Sequence, residues 1–511
     1  MRLAALYKNL VALKPVGFWP GFVIGIFYFS YILWWFWSAS VYLSLLLGTN
    51  GGILVFLIIL PTFVITVAGV SLFWGFFSYT IYNFKEIRPI FLPLFYAGTF
   101  VLLEYLRTWF VGILLYGDGG LLGANWTFGN PAYLFASVGP IRESASYWGI
   151  YGVDFLIIFI VTATVLLIRT ERKQKMAYIV EIISAIAVIV LFVFFIPAQA
   201  PDKKISASII QTENPVKISY PPEEFLSDFS KKNELLRDAS KKSDIVIFPE
   251  SADFSKTLSN FLDPASIPKY FSGLSPNNIL IVDSNRVPEQ AEVKSKVILI
   301  DSHDGIVASY DKKLLTPGGE YFPYVSRLTL WAFGHVFKND LTLFEATFTR
   351  GTGSNSLYYK DDKIKLLVCS DVISPSMARE GDLDFMLNLR NLAVFGGNSL
   401  IEHELLSMAR FRAAENGKYL LISSNFGHSY IINNRGGIEL STNSRGYQIL
   451  TGDIVLNQTR TWYNKLGDWP ILMVSLLIFG LGLIKHRNAN QDKNFNWFSR
   501  TSRRVFGLPR I

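Results

Sequence analysis

Lys365-Leu366-Leu367-Val368-Cys369-Ser370-Asp371 is an apolar run that ends in the only cysteine of a 511-residue chain, followed two residues later by a carboxylate. An uninterrupted apolar run of this length reads as a strand buried on both faces, and α/β proteins place reactive groups where such strands end. Two other segments repeat the pattern. Ile245-Val246-Ile247-Phe248-Pro249-Glu250 is an apolar strand ending in a carboxylate, and Tyr310-Asp311-Lys312-Lys313-Leu314 leads into Thr316-Pro317-Gly318-Gly319-Glu320-Tyr321. Around them, from about 202 to 455, β-rich runs occur at 204–211, 243–248, 279–283, 295–299, 363–369, 384–388, 419–423 and 429–433, with helical patterns at 222–240 and 399–416. This alternation predicts an α/β domain whose sheets are covered by helices.

Each segment has an ordinary reading: a solvated glutamate at a strand end, a surface lysine beside Lys313, and a cysteine filling a core. Taken together they supply acyl transfer through a thioester. Cys369 would attack a carbonyl, Glu250 would take the thiol proton, and Lys312 would stabilise the oxyanion. A lone cysteine excludes an internal disulfide and a thiolate-rich metal site. The five histidines, at 303, 335, 403, 428 and 486, lack zinc-site spacing, and no nucleotide motif occurs, so neither metal nor cofactor is expected.

Outside this region the chain has the composition of a membrane protein. Half of it is apolar and only 17% is charged, against about 25% charged in an ordinary soluble domain. No charged residue occurs from Pro15 through Phe84, which is far longer than a cleaved signal peptide needs. Spans are expected at about 18–41, 52–82, 90–112, 148–168, 177–196 and 469–484, each near the length that crosses a bilayer. Basic residues sit at Lys8 and Lys14, at Lys85 and Arg88, from Arg169 to Lys175, and after Ile484. These places agree with one another only if all are cytoplasmic, which puts 113–147 and 198–465 on the outer face. The net charge of +8 is largely this flanking charge, so nucleic-acid binding is disfavoured. The expected domains are a membrane domain over 1–197, a catalytic domain over 198–465, a last span over 466–486 and a basic tail over 487–511.

The glutamate, lysine and cysteine segments resemble the three motifs of the nitrilase (carbon-nitrogen hydrolase) superfamily. Their order within a membrane frame is similar to its apolipoprotein N-acyltransferase branch. Matching stretches include Glu104-Tyr105-Leu106-Arg107, Gly319-Glu320-Tyr321-Phe322-Pro323, Met408-Ala409-Arg410-Phe411-Arg412 with Glu415, Asn425-Phe426-Gly427-His428-Ser429, and Gly467-Asp468-Trp469-Pro470. The resemblance covers about residues 15 to 485. It implies an αββα four-layer sandwich joined to an all-α polytopic membrane domain, working as a monomer in a bacterial inner membrane with its catalytic domain on the periplasmic face.

The implied reaction is ping-pong. Cys369 takes an acyl chain from a phospholipid such as phosphatidylethanolamine and passes it to the α-amine of a lipoprotein's diacylglyceryl-cysteine. Glu250 is then the general base, Lys312 the oxyanion partner, and Glu320 a second carboxylate orienting the lysine. Ser370, Asp371, Asn388, Arg410, Glu415, Asn425, Glu104, Arg107 and Trp331 are supporting or substrate-contacting candidates. Glu104 and Arg107, three apart on one helical face, are read either as a structural pair or as headgroup ligands. Residues 324–350, with Trp331, are read either as a mobile arm over the acyl chain or as an insertion packed on its own domain.

The chain departs from the branch in several places. It has Cys369-Ser370-Asp371 where the family has Cys-Tyr-Glu, and Asn391-Leu392-Ala393-Val394-Phe395-Gly396 in place of Asn-Asp-x-Trp-Phe-Gly. Glu404-Leu405 replaces a Gln-His pair, and six spans stand where eight are typical. The alternatives are a membrane-tethered nitrilase-type amidase that gives its acyl group to water, an acyltransferase with an altered donor or acceptor, and a catalytically dead scaffold or transporter-like protein.

Overall fold

In a computed structural model the described residues are 17–40, 53–84, 87–170, 172–194, 203–217, 220–289, 292–333, 348–457 and 459–506. Helices α1 (Phe18–Ile32), α2 (Ile53–Asn83), α3 (Leu92–Leu114), α4 (Ala145–Arg169) and α5 (Arg172–Phe194) precede the α/β region, and α11 (Trp469–Phe506) follows it. Five helices among the described residues are long and apolar enough to cross a membrane: those within 55–83, 89–114, 145–169, 174–192 and 469–487. The expected span at 18–41 is corrected. Its α-helix is 15 residues long and gives way to a 3-10 helix at Trp34–Ala39, short of the roughly 20 residues a crossing needs. The helix beginning at Trp469 also runs on to Phe506, through most of the expected basic tail. Lys8, Lys14 and Lys85 lie outside the described residues.

The α/β region contains two six-stranded sheets. The strands are β1 (Lys203–Gln211), β2 (Ile245–Ile247), β3 (Leu280–Glu289), β4 (Glu292–Asp301), β5 (Gly305–Asp311), β6 (Ser356–Tyr359), β7 (Asp362–Val368), β8 (Phe385–Asn391), β9 (Leu420–Asn425), β10 (Tyr430–Ile432), β11 (Ile438–Ser441) and β12 (Gln448–Leu456). Their orders are β12-β1-β2-β3-β4-β5 and β11-β10-β9-β8-β7-β6. Successive side chains on a strand point to opposite faces, and that period sets the layers. Ile209, Ile245, Ile247 and Val282 of the first sheet meet Leu366, Val368, Leu387 and Leu421 of the second in one buried cluster. Val246 and Ile281 point the other way, under Leu236 of α6 (Pro222–Ser240), Phe254 of α7 (Phe254–Phe261) and Phe271 of α8 (Ser266–Ser272). Leu367, Met386 and Ile422 leave the outer face of the second sheet and pack against Leu405, Met408 and Ala409 of α10 (Ser399–Asn416). The result is the expected αββα sandwich. Burying one such side chain contributes about 1.5–3 kcal/mol, so the double cover of each sheet dominates the domain's stability.

The membrane helices form a further layer on α10, because Phe29, Tyr133 and Tyr151 belong to the same cluster as Met408 and Phe411. One backbone break fixes this junction. Gly149 has φ 65° inside α4, and a Cβ there would lie 2.2 Å from the Tyr463 ring. The break frees the Ile150 N–H, which donates to Glu415 Oε1 at 2.9 Å. Glu415 also pairs with Arg412 at 2.9 Å, both side chains being fully inaccessible. The domain is held at its ends as well: β1 and β12 pair antiparallel, with Lys203 opposite Leu456. Its entry from α5 and its return toward α11 therefore lie side by side.

Candidate active site

Three strands from the two sheets end at one place. β2 ends at Ile247, three residues before Glu250; β5 ends immediately before Lys312; β7 ends immediately before Cys369. All three side chains are buried, with Lys312 only 1% exposed. Lys312 Nζ lies 2.9 Å from Glu250 Oε1 and 2.8 Å from Glu320 Oε2. Glu320 is held in turn by the Thr316 N–H, which donates to Oε2 at 2.7 Å. The tight Thr316-Pro317-Gly318-Gly319 loop thus folds the second carboxylate back onto the lysine.

Burial disfavours an ammonium, but two carboxylates more than offset it and hold the Lys312 pKa well above its ordinary value. Burial raises the Glu250 carboxyl in spite of the adjacent lysine. It also pushes the Cys369 thiol up to about 12, with the Glu250 charge adding to the effect and Lys312 opposing it. The sulfur therefore lies in the field of all three charged groups and is a neutral thiol at rest. The nearby Asn391 main-chain N–H acts in the opposite direction and lowers the thiol pKa.

Cys369 has φ 45°, in the left-handed region, at the turn from β7 into a 3-10 helix at Cys369–Ile373. Such a backbone costs about 1–3 kcal/mol and persists only where its surroundings hold it. The next two residues do so. Asp371 Oδ2 accepts the Val368 N–H at 2.9 Å, and Oδ1 accepts the Leu314 N–H at 3.1 Å. The Tyr310 hydroxyl donates to Asp371 at 3.3 Å, and burial raises this carboxyl to about 6. Ser370 Oγ donates to the Leu314 carbonyl and receives the Thr316 hydroxyl at 3.3 Å. Ser-Asp, standing where the family has Tyr-Glu, ties the cysteine turn to the lysine loop. Further along, the Thr127 hydroxyl donates to the Ile373 carbonyl at 2.5 Å and Ser374 to Asn125 at 2.8 Å, joining the same turn to the loop after α3.

The other expected residues divide by place. Asn425 Nδ2 donates to Asn391 Oδ1 at 2.9 Å and so steadies the residue whose N–H lowers the Cys369 pKa. Asn388 bonds the Leu367 carbonyl at 3.1 Å within the sheet, and Arg410 bonds the Gly436 carbonyl at 2.9 Å on the outer side of α10. Glu415 belongs to the junction with α4. Glu104 pairs with Arg107, which also donates to Asn130 at 3.0 Å; Asn130 donates to Asp154 at 2.7 Å. Glu104 and Arg107 are both 1% exposed. Trp331 falls in α9 (Tyr324–Phe333), but its side chain and residues 334–347 lie outside the described residues. Glu404, at another departure, is a buried carboxyl beside Trp35, with neither oxygen hydrogen-bonded among the described residues.

Sequence reasoning gave no role to Asn391, Thr316 or Tyr310. Asn391 and Thr316 act through main-chain N–H groups, which residue identity does not reveal. Tyr310 stood in a quoted motif, yet only the fold shows its hydroxyl reaching Asp371.

An apolar groove of about 70 Å³ reaches the Thr316–Gly319 loop, next to this site. Trp35, Ile59 and Leu115, from in or beside the first three membrane helices, line it together with Thr316, Gly319 and Phe395.

Paired carboxylates on a lysine and a buried strand-end cysteine within a double-sheet sandwich agree with one class of protein: the chain belongs to the carbon-nitrogen hydrolase family, whose model matches residues 207–464. It is similar to the apolipoprotein N-acyltransferase of Haemophilus ducreyi, at 24% identity over 80% of this chain and 78% of the relative. It is also similar to that of Caulobacter vibrioides, at 25% identity over 93% of this chain and 87% of the relative. Among solved structures, a carbon-nitrogen hydrolase from Helicobacter pylori aligns with 49% of this chain and 89% of its own at 13% identity, with a TM-score of 0.38.

Proposed function

We propose that this protein is an acyltransferase that moves a fatty acyl chain from a glycerophospholipid to the α-amine of a lipoprotein's diacylglyceryl-cysteine. The observation that carries the reading is the groove, since it joins membrane-helix side chains to the loop whose Thr316 N–H holds Glu320. A soluble amidase has no membrane helices to line such a groove. Similarity to N-acyltransferases over most of the chain supports the same reading.

In the first half-reaction Glu250 accepts the Cys369 proton as the sulfur bonds to the ester carbonyl carbon. Lys312 faces the developing oxyanion, held by Glu250 on one side and Glu320 on the other. Collapse of the intermediate breaks the ester C–O bond; the glycerol oxygen takes the proton back from Glu250 and leaves as a lysophospholipid. In the second half, the uncharged α-amine attacks the thioester, Glu250 accepts a proton from nitrogen, and that proton passes to the departing sulfur. The α/β domain over 198–465 lies on the outer face of the membrane, fastened by spans on both sides. An acyl chain using the groove then avoids most of the roughly 0.8 kcal/mol that each methylene exposed to water would cost.

Purified protein given a labelled phospholipid and a lipopeptide with a free α-amine is expected to yield N-acyl lipopeptide and lysophospholipid. Release of free fatty acid with no acylated peptide would instead make it a hydrolase.

A further inference from the structure

Lys312 Nζ lies between two carboxylates, and the chain next to each lines a different cavity. Thr316, whose N–H holds Glu320, lines the apolar groove together with Gly319. A separate cavity of about 180 Å³, of mixed polar and apolar lining, has a wall that includes Ser251 and Ala252, directly after Glu250, and Asn391, whose main-chain N–H lowers the Cys369 pKa. A carbonyl held at Cys369 would have the apolar groove beyond the Thr316 loop and this cavity beyond Ser251 and Asn391.

The charge of this chamber is uneven. Lys232 is spent on Asp228 at 2.7 Å and on the Ala252 carbonyl at 2.8 Å. Asp253 accepts the Arg286 main-chain N–H at 2.7 Å. Lys217, on the outer wall, pairs with Glu224. The Arg286 guanidinium is exposed and has no carboxylate partner among the described residues. It is nonetheless aimed: its Nε donates to Ser251 Oγ at 3.0 Å, and its planar end lies 6.0 Å from the Phe348 ring centre. An arginine fixed through Nε keeps its terminal N–H groups for an incoming anion, the geometry suited to phosphate oxygens.

Resting on the acyltransfer reading, we propose that this cavity is the headgroup subsite of the acyl donor, in which Arg286 binds the phosphodiester monoanion of a glycerophospholipid. The donor then lies across the site with its reacting chain in the groove, its carbonyl at Cys369 and its phosphate beside Arg286. The subsite selects donors by the phosphate and also holds the lysophospholipid as it leaves.

The test follows Cys369 acylation in the full-length protein, using dipalmitoyl phosphatidylethanolamine and the headgroup-free p-nitrophenyl palmitate as alternative donors. In Arg286→Gln the ratio of kcat/KM for phospholipid to that for the simple ester is expected to fall at least about tenfold, the scale of a lost charged hydrogen bond. Arg286→Lys keeps most of the ratio, and Lys217→Gln lowers it less, since Glu224 already shares that charge. Glycerophosphoethanolamine slows the wild-type reaction with the simple ester, and inorganic phosphate at the same concentration does not. An unchanged ratio, an equal loss in Arg286→Lys and Arg286→Gln, or equal inhibition by inorganic phosphate overturns the subsite. So does normal donor use coupled with lost transfer to lipopeptide, which assigns the cavity to the acceptor. Wild-type protein that takes acyl groups from the simple ester but never from a phospholipid overturns the acyltransfer reading, and the subsite falls with it.

Discussion

Cys369 and Glu250 are both displaced by burial in the direction that favours the neutral form, the thiol to about 12 and the carboxyl above its ordinary value. At neutral pH the nucleophile is thus not a preformed thiolate, and proton removal must accompany attack. A raised base is active only above its own pKa, which fixes the expected pH profile. The rate of Cys369 acylation rises through an acid limb lying above the ordinary glutamate value of 4.5. It then stays level through about pH 8.5, where an unperturbed thiol would ionise. Glu250→Gln is expected to lower the rate at pH 7 by about a hundredfold or more, the usual worth of a general base. A wild-type rate that climbs with thiolate formation near pH 8.5 contradicts this division of labour. At this scale the sequence was informative about side chains that carry charge or a nucleophile. Glu250, Lys312 and Cys369 could be picked out because each sits where a strand is about to end, and Glu320 through the family resemblance alone. The N–H groups of Asn391 and Thr316 could not, because any residue supplies one.

Among the elements, α4 has the most consequential irregularity. Its break at Gly149 is what lets Ile150 donate to Glu415, and Glu415 stands on the helix that covers the second sheet. Gly149→Ala meets two obstacles together, the positive φ and a ring 2.2 Å from the new Cβ. We expect it to lower the unfolding free energy by about 1–3 kcal/mol, as strained or overpacked sites do, seen as a drop in the thermal midpoint in detergent. A wild-type midpoint would mean that the domains dock through other contacts. The break itself was not legible, because a stretch over 148–168 whose only charged residue is Asp154 reads as a plain span. The eight expected strands all form, whereas β5, β6, β11 and β12 escaped notice. The exposed pattern of β11 and the mixed pattern of β12 explain this, since edge strands lack the apolar runs that mark central ones. The 18–41 stretch misled for the opposite reason: its apolar length continues into a 3-10 segment whose Trp35 packs against Phe128 and Phe395 instead of extending a helix.

At the scale of the whole molecule, the double-sheet sandwich places three strand ends together, and side chains in or beside the membrane helices line an apolar groove that reaches the neighbouring Thr316–Gly319 loop. The two-part architecture was plain in the sequence, because a charge-free run and an alternating α/β pattern follow different rules. The arrangement of the parts was not, since it depends on contacts between residues hundreds of positions apart, such as Ile150 with Glu415 and Asn398 with Ser38. The central claim is that one sulfur, next to the loop that the groove reaches, carries the acyl group. Incubating the full-length protein with a phospholipid of defined chains, quenching it in acid and weighing the peptide that contains Cys369 tests this directly. The account requires that peptide to gain the mass of one fatty acyl chain, and to lose it when a lipopeptide with a free α-amine is added. An unmodified Cys369 in protein that is transferring acyl chains, or undiminished transfer by Cys369→Ala, would contradict it.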